Sequence, residues 1–399
     1  MHILMLSDVY FPRVNGVSTS IRTFARELER FGHGVTIVAP EYAADDGARD
    51  EFETVRLPSS KIFFDPEDRL IRRSALRAAA AQLAQRRWDV IHIHTPFRAH
   101  QLGVMLRKLS GRPLVETYHT YFEPYAKHYF PWLPAAPLRF AARSISRRLC
   151  REVDHLIVPT QQMDDVLKQY GIATPTTIIP TGIDLDEFAG GDGARFRQAQ
   201  DIRADQPTLV TVSRLAAEKN IGFLLDVVQA LRGEFPDLVF IIAGEGPDAE
   251  ALRAKARAAN LEPHLRFPGN LDRRTALLDC YRAGDVFVFA SPTETQGLVL
   301  IEAMALGVPV VSTAVMGTAA VLAGAQGARI SGEDVASFAG HVAALLRSPE
   351  LRAQLAAAAR EDARAWSAST LMRRTVDLYE RLANAQPDLE VGAASHRSA

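Results

Sequence analysis

SPTETQGLVLIEAMALGVPVVS, residues 291–312, decides the reading of this chain. It continues the apolar run DVFVFAS at 285–291 and ends in another, PVVS at 309–312. A buried strand, a turn, a helix over 297–306 and a second buried strand fit that order. Inside the stretch sit Glu294 and Glu302, eight positions apart, with no Lys or Arg to pair with either. Glu294 falls in the turn and Glu302 in the second turn of the helix. At about 1.5 Å per residue the helical part spans about 10 Å, so the two carboxylates address different parts of one extended ligand.

Short runs rich in Val and Ile alternate with longer helical patterns on both sides of this stretch. HILMLSD (2–8), GVTIVAP (34–40), DVIHIHT (89–95), PLVETYHT (113–120), HLIVPT (155–160) and TTIIP (176–180) read as strands. They are continuously apolar rather than alternating, as a sheet covered on both faces requires. TLVTVSR, LVFIIAG, LRFPGN, DVFVFAS and PVVS form a second series. Strand–helix alternation in two series predicts an α/β chain with two Rossmann-like, doubly wound domains facing across a cleft. The expected divisions are 1–188, 189–366, a helix at 367–385 that returns to the first domain, and a disordered tail at 386–399. The polar, Gly-rich stretch 189–207 is the expected linker.

Composition excludes several classes. The 399 residues are 47% hydrophobic and 23% charged, which is ordinary for a globular protein with a sizeable core. The two cysteines, Cys150 and Cys280, form no metal-spaced pair and suggest a reducing compartment. MHILMLSD lacks the basic start and long apolar stretch of a signal peptide. No run reaches the ~18 apolar residues of a spanning helix. The expected location is therefore the cytoplasm, peripheral on the inner face of the membrane. Net charge is −1, yet residues 60–151 hold 17 Lys and Arg against 6 Asp and Glu, a local +11.

Ligands of open α/β sheets bind beyond the carboxyl ends of the strands. Gln296, Gly297 and Leu298 open the helix between the two glutamates, and its free N–H groups suit a diphosphate. A carboxylate accepts two hydrogen bonds from a diol. Hydroxyls at both ends and a diphosphate between describe a nucleotide sugar. SRLAAEKN at 213–220 closes another strand and carries Arg214 and Lys219 across a turn, a pair that would neutralise a leaving diphosphate. In VNGV (14–17), Gly16 would let backbone N–H groups approach a phosphate or sugar. AGEGP (243–247) offers Gly244 and Gly246 but no third glycine at the dinucleotide spacing, so a nicotinamide cofactor is a poor reading. His92 and His94 alternate on one strand without a third ligand, and read as packing or cleft lining. Asp184 and Asp186 make a short Asp-x-Asp match after a TG turn, where Asp commonly caps a helix. No metal and no other cofactor is expected.

Glu, seven residues, Glu and then AMALGVPVV resembles the signature of the retaining glycosyltransferases of family 4, which have the GT-B fold. The resemblance extends to SDVYFPRVNGVSTSI, YHTYFEPY, VPTQQMDDVLKQYG, IPTGIDLDEF and SRLAAEKN, and so spans nearly the whole chain. It implies that Glu294 binds hydroxyls of the donor sugar and Glu302 the ribose. Arg214 and Lys219 would hold the diphosphate, the Gly244–Gly246 turn would border the nucleotide, and His119 would lie beside the donor sugar. His119, Arg214, Lys219 and Glu294 are thus the expected catalytic set. Gly16, Gly244, Gly246, Gln296, Gly297, Leu298 and Glu302 are the expected donor-binding set. On this reading the glutamates lack cations because their partners are hydroxyls.

On the acceptor side, YHTYFEPYAKHYFPWLP places seven aromatics between Tyr118 and Trp132. LRFAARSISRRLCR then sets Arg139, Arg143, Arg147 and Arg151 four apart, with Leu138, Ala142, Ile145 and Leu149 as the opposite stripe. A basic amphipathic helix beside an aromatic loop suits an anionic membrane surface, and no nucleic-acid module is recognisable. The motifs TETQGLV, YHTYFEPY and IPTGIDLDEF look most like those of bacterial diacylglycerol alpha-glucosyltransferases. The expected activity is transfer of a hexose, glucose from UDP-glucose, to a lipid hydroxyl with retention. A GDP-mannose-dependent mannosyltransferase and a non-catalytic nucleotide-sugar-binding protein remain the alternatives.

Overall fold

The computed structural model describes residues 1–42, 50–61, 69–119 and 134–385. The aromatic segment after His119 and the tail from residue 386 lie outside the described residues.

Strands β1 (His2–Leu6), β2 (Gly34–Pro40), β3 (Glu53–Leu57), β6 (Val90–Ile93), β7 (Leu114–Thr117), β8 (His155–Val158) and β9 (Thr176–Ile178) form one sheet, ordered β3-β2-β1-β6-β7-β8-β9. Every pairing in it is parallel. β4 (Ser59–Lys61) and β5 (Arg69–Ile71) make a separate antiparallel hairpin. The second sheet runs β12 (Leu265–Gly269), β11 (Val239–Ala243), β10 (Thr208–Val212), β13 (Val286–Phe289), β14 (Val310–Thr313) and β15 (Ala328–Ser331), again parallel throughout. The continuous apolar runs explain this: β11, β13 and β14 are buried at every residue, which only a sheet covered by helices on both faces allows. The fold is two Rossmann-like α/β domains.

Each sheet reverses its order once, between β1 and β6 and between β10 and β13. A crevice opens at such a switch point. The SPTETQGL turn leaves β13 there, and the turn before the helix Gly16–Arg30 leaves β1 at the matching place in the first domain.

The stretch 189–207 is not a plain linker. It contains the helix Gly193–Ala199, which packs on the helix Ala276–Ala283, and Arg195 is fixed there by Asp279. The helix Ala368–Asn384 crosses back onto the first domain, against Gly16–Arg30, and Tyr379 reaches His92 of β6 at 2.6 Å. Residues 69–88 supply β5 and the helix Arg73–Leu83, whose Leu76, Ala79, Ala80 and Leu83 are buried against the helix Arg98–Ser110. The helix Ala135–Arg151 corrects the expected faces. Its buried side is Ala142, Ser146 and Cys150, while Phe140 is 70% and Ile145 50% exposed. Arg143 lies over the Tyr170 ring and Arg147 donates to the Tyr170 carbonyl. The expected arginine stripe is therefore split: Arg143 and Arg147 lie on the flank beside Tyr170, and the outward face carries Phe140, Ile145, Arg148 and Arg151. Among the described residues no helix is long and apolar enough to cross a membrane.

Candidate active site

Both crevices open into one cavity of about 370 Å³. The first domain lines it with Asn15, Gly16, Ser20, His119 and Thr181, among others. The second domain contributes Arg214, Lys219, Gly244, Arg273, Glu294, Gln296, Gly297, Leu298 and Glu302. Of the expected site residues only Gly246 is not in the lining. A Cβ there would lie 2.4 Å from the Leu215 carbonyl oxygen, so this glycine allows two turns to pack. Gly244 does line the cavity, at φ +124°, where a Cβ would strike the Ser213 carbonyl oxygen at 2.0 Å.

Two helix starts face the cavity. Asn15 caps Gly16–Arg30: its Oδ1 accepts from the Ser18 N–H at 2.9 Å, and Ser18 Oγ accepts from the Asn15 N–H at 2.9 Å. No acidic residue sits in that first turn, so the positive end of the helix is left to the cavity. The helix Leu298–Ala305 begins at Gly297, whose φ of +93° a residue with a Cβ rarely adopts. It has neither a side-chain cap nor a first-turn acid, so the positive end of this helix is also open to an anion.

The carboxylates differ from the sequence expectation. Glu294 Oε1 pairs with Lys219 Nζ, and each side chain is 17% exposed. Glu302 is 2% exposed, and its two oxygens are taken by Arg273 Nη2 and by the Tyr281 hydroxyl at 2.7 Å. Both acids therefore have a cation, supplied from far along the chain rather than from the quoted stretch. A buried carboxylate without a partner would be costly, and each is placed where folding brings one. Burial works against the Arg273 charge, but Glu302 more than offsets it, so the guanidinium holds its proton more tightly than usual. Burial, with the Glu302 charge beside it, pushes the Tyr281 hydroxyl well above its ordinary range, so it donates as a neutral phenol. Arg273 and Tyr281 had no signal in the sequence: neither closes an apolar run nor belongs to a quoted motif.

Gln296 binds the other domain. The Thr181 N–H donates to its Oε1 at 2.8 Å, and its Nε2 donates to the Thr181 carbonyl at 2.7 Å. Thr160 Oγ1 adds a bond to the Thr295 carbonyl at 3.2 Å. The Gly317 N–H holds the Glu294 carbonyl at 2.8 Å. The turn that carries Glu294 is thus fixed from both domains.

His119 lines the cavity at the end of β7. Its Nε2 lies 3.3 Å from His94 Nδ1, and the two rings stack with centroids 5.6 Å apart. His92 follows at 4.0 Å from His94, between Tyr379 and Thr117. Burial lowers the pKa of His119 to about 4 and of His92 to about 3, so the group is neutral at pH 7. Asp184 is held by Arg30 at 2.9 Å, and its Oδ1 accepts from the Asp186 N–H at 3.2 Å, a turn and ion-pair role. Among the described residues no cluster of three or more His, Cys, Asp or Glu is placed to hold a metal ion.

This cavity, with two helix starts, cations and paired carboxylates at a domain cleft, is suited to a ligand that is anionic in the middle and hydroxylated at its ends. Comparison with known proteins gives the same class. Residues 14–187 match the model of Glycosyltransferase Family 4, and residues 192–362 that of Glycosyl transferases group 1. The alpha-monoglucosyldiacylglycerol synthase of Streptococcus pneumoniae is 31% identical over 78% of this chain and 71% of that protein. The synthase of the same name from Acholeplasma laidlawii is 30% identical over 78% of this chain and 80% of that protein. The crystal structure of Anabaena HepE in complex with UDP and glucose superposes with a TM-score of 0.78, at 17% identity, over 96% of this chain and all of that one. The chain is a glycosyltransferase of the two-domain GT-B fold and belongs to glycosyltransferase family 4.

Proposed function

We propose that this glycosyltransferase moves glucose from UDP-glucose to a lipid hydroxyl, such as that of diacylglycerol, at an anionic membrane surface. The observation that carries the reading is the pairing of Lys219 with Glu294 beside two helix starts that hold no acidic residue in their first turns. A diphosphate would compete for Lys219, and sugar hydroxyls would take its place on Glu294. The exchange keeps both side chains partnered in the free and the loaded enzyme. Arg214 and the start of the helix Leu298–Ala305 would share the diphosphate charge, and Glu302, oriented by Arg273 and Tyr281, would accept the ribose hydroxyls. His119 would contact the sugar.

The bond from the sugar C1 to the diphosphate oxygen breaks, and a bond from C1 to the lipid oxygen forms on the same face. The proton of the lipid hydroxyl goes to the leaving diphosphate. Retention rests on the family resemblance. The lipid acceptor is supported by the names of the two synthases and by the outward face of the helix Ala135–Arg151, where Phe140 and Ile145 stand among arginines. A membrane-surface enzyme needs such a face and no spanning helix.

The test has two parts. Melting is followed with UDP, GDP and ADP at equal concentration. Labelled UDP-glucose is then incubated with and without diacylglycerol vesicles, and the organic extract is counted. Stabilisation by UDP and label in the extract only with diacylglycerol are expected. Preference for GDP, with transfer from GDP-mannose, would replace the donor assignment. Binding without transfer to any lipid would make the protein a sensor.

A further inference from the structure

The buried histidine group lies behind the cavity. His94 sits on β6 with its ring enclosed by Phe24 at 5.9 Å, His92 at 4.0 Å and His119 at 5.6 Å, measured between ring centroids. Its Nδ1 meets His119 Nε2 at 3.3 Å, while its Nε2 is fully buried and has no hydrogen-bond partner among the described residues.

A neutral imidazole carries one N–H and one bare nitrogen. Burial holds His92, His94 and His119 neutral at pH 7. Two arrangements of the His94–His119 bond are then possible. In one, His119 Nε2–H donates to His94 Nδ1, and His94 must keep its N–H on Nε2. That donor would be buried with nothing to receive it, a rare and costly condition. In the other, His94 Nδ1–H donates to His119 Nε2. The unpartnered His94 nitrogen is then a bare acceptor, and His119 carries its N–H on Nδ1.

We propose that His94 is a positioning residue that fixes His119 as the Nδ1–H tautomer, so that His119 offers the cavity a hydrogen-bond donor and not a base. The consequence rests on the reading of His119 as a contact of the donor sugar. An N–H aimed at a sugar oxygen orients the ring being transferred, and a histidine already protonated on that nitrogen cannot take the acceptor's proton. That removes His119 as a general base and leaves the proton to the diphosphate. His92 completes the arrangement: Tyr379 at 2.6 Å and Thr117 at 2.7 Å occupy both its nitrogens, which holds its ring against His94.

The test is a spectrum and a pair of variants. The full chain labelled with ¹⁵N in histidine is examined by long-range ¹H–¹⁵N correlation at pH 7.5, with His119→Gln and His94→Asn used for assignment. A protonated Nδ1 and a bare Nε2 on both His94 and His119 are expected. A protonated Nε2 on His119 overturns the proposal whatever the enzyme's activity. In transfer assays His94→Leu, which leaves no donor, should lower kcat about tenfold, the effect of one lost hydrogen bond. His94→Asn keeps an N–H where Nδ1 stood and should recover most of that loss. Equal turnover in the two variants overturns the positioning role. Full turnover in His119→Gln, with the expected tautomers in the wild type, would instead sink the reading of His119 as a sugar contact.

Discussion

Gln296 and Thr181 hold each other across the cleft through two hydrogen bonds, at 2.8 and 2.7 Å, between one side-chain amide and one backbone unit. The turn bearing Glu294 is therefore registered on the opposite domain before any ligand arrives. Gln296→Ala leaves a buried N–H and C=O of Thr181 without partners, a cost of about 2–4 kcal/mol. The variant should melt lower and show a raised KM for the sugar nucleotide. Unchanged melting and KM would mean that the two domains are held in register elsewhere.

Stability should fall as the solution is acidified below pH 6.5. His92 and His119 titrate near 6.5 when unfolded but near 3 and 4 in the fold, where burial disfavours the charged ring. Between those values the unfolded chain binds more protons, so acid favours unfolding. Each histidine contributes up to about 1.4 kcal/mol per pH unit. The urea midpoint measured from pH 7.5 to 5 checks this, and His92→Gln should flatten the slope. A midpoint independent of pH in that range would contradict the placement of these rings.

Membrane binding should follow the outward face of the helix Ala135–Arg151. Arg148→Gln with Arg151→Gln removes two charges, worth roughly 2 kcal/mol at an anionic surface. Phe140→Ser removes the most exposed large apolar side chain of that helix. Sedimentation with anionic vesicles should fall in both variants. It should fall for the wild type in 1 M salt, where the Debye length is about 3 Å. Binding that ignores these changes would leave this face merely solvated.

Turnover should survive EDTA. Lys219, Arg214 and the start of the helix Leu298–Ala305 line the cavity where a diphosphate is proposed to sit. Asp184 is already committed to Arg30. Complete loss in EDTA, restored by Mg²⁺ or Mn²⁺, would show that these groups do not suffice.

What was legible in the sequence follows from range. Runs such as LVFIIAG and DVFVFAS announce interior strands, because a strand buried on both faces needs no partner to be recognised. β3, β15 and the β4–β5 hairpin went unread: they lie at sheet edges or outside the sheets, are half-exposed, and carry mixed residues. The motif residues His119, Arg214, Lys219, Glu294 and Glu302 come together in the cavity because each follows the carboxyl end of a parallel strand, β7, β10 or β13. Their pairing was not legible. Lys219 lies 75 positions from Glu294 and Arg273 lies 29 from Glu302, and no local pattern encodes a contact made by two loops of a folded sheet. The outward face of the arginine helix was misread for a related reason. Helical spacing gives the stripes but not which stripe the sheet covers, and the small Ala142, Ser146 and Cys150 were chosen over Ile145.

The most direct test of the account is single-turnover transfer from labelled UDP-glucose to diacylglycerol by the wild type, Glu294→Gln and Lys219→Ala, each checked by circular dichroism. Both side chains line the cavity and lie outside the buried cores, so the fold should persist. The account predicts that each variant transfers at least about a hundredfold more slowly than the wild type, as when an electrostatic contact to the reacting group is removed. Near-normal transfer by either folded variant would contradict the site built around the Lys219–Glu294 pair.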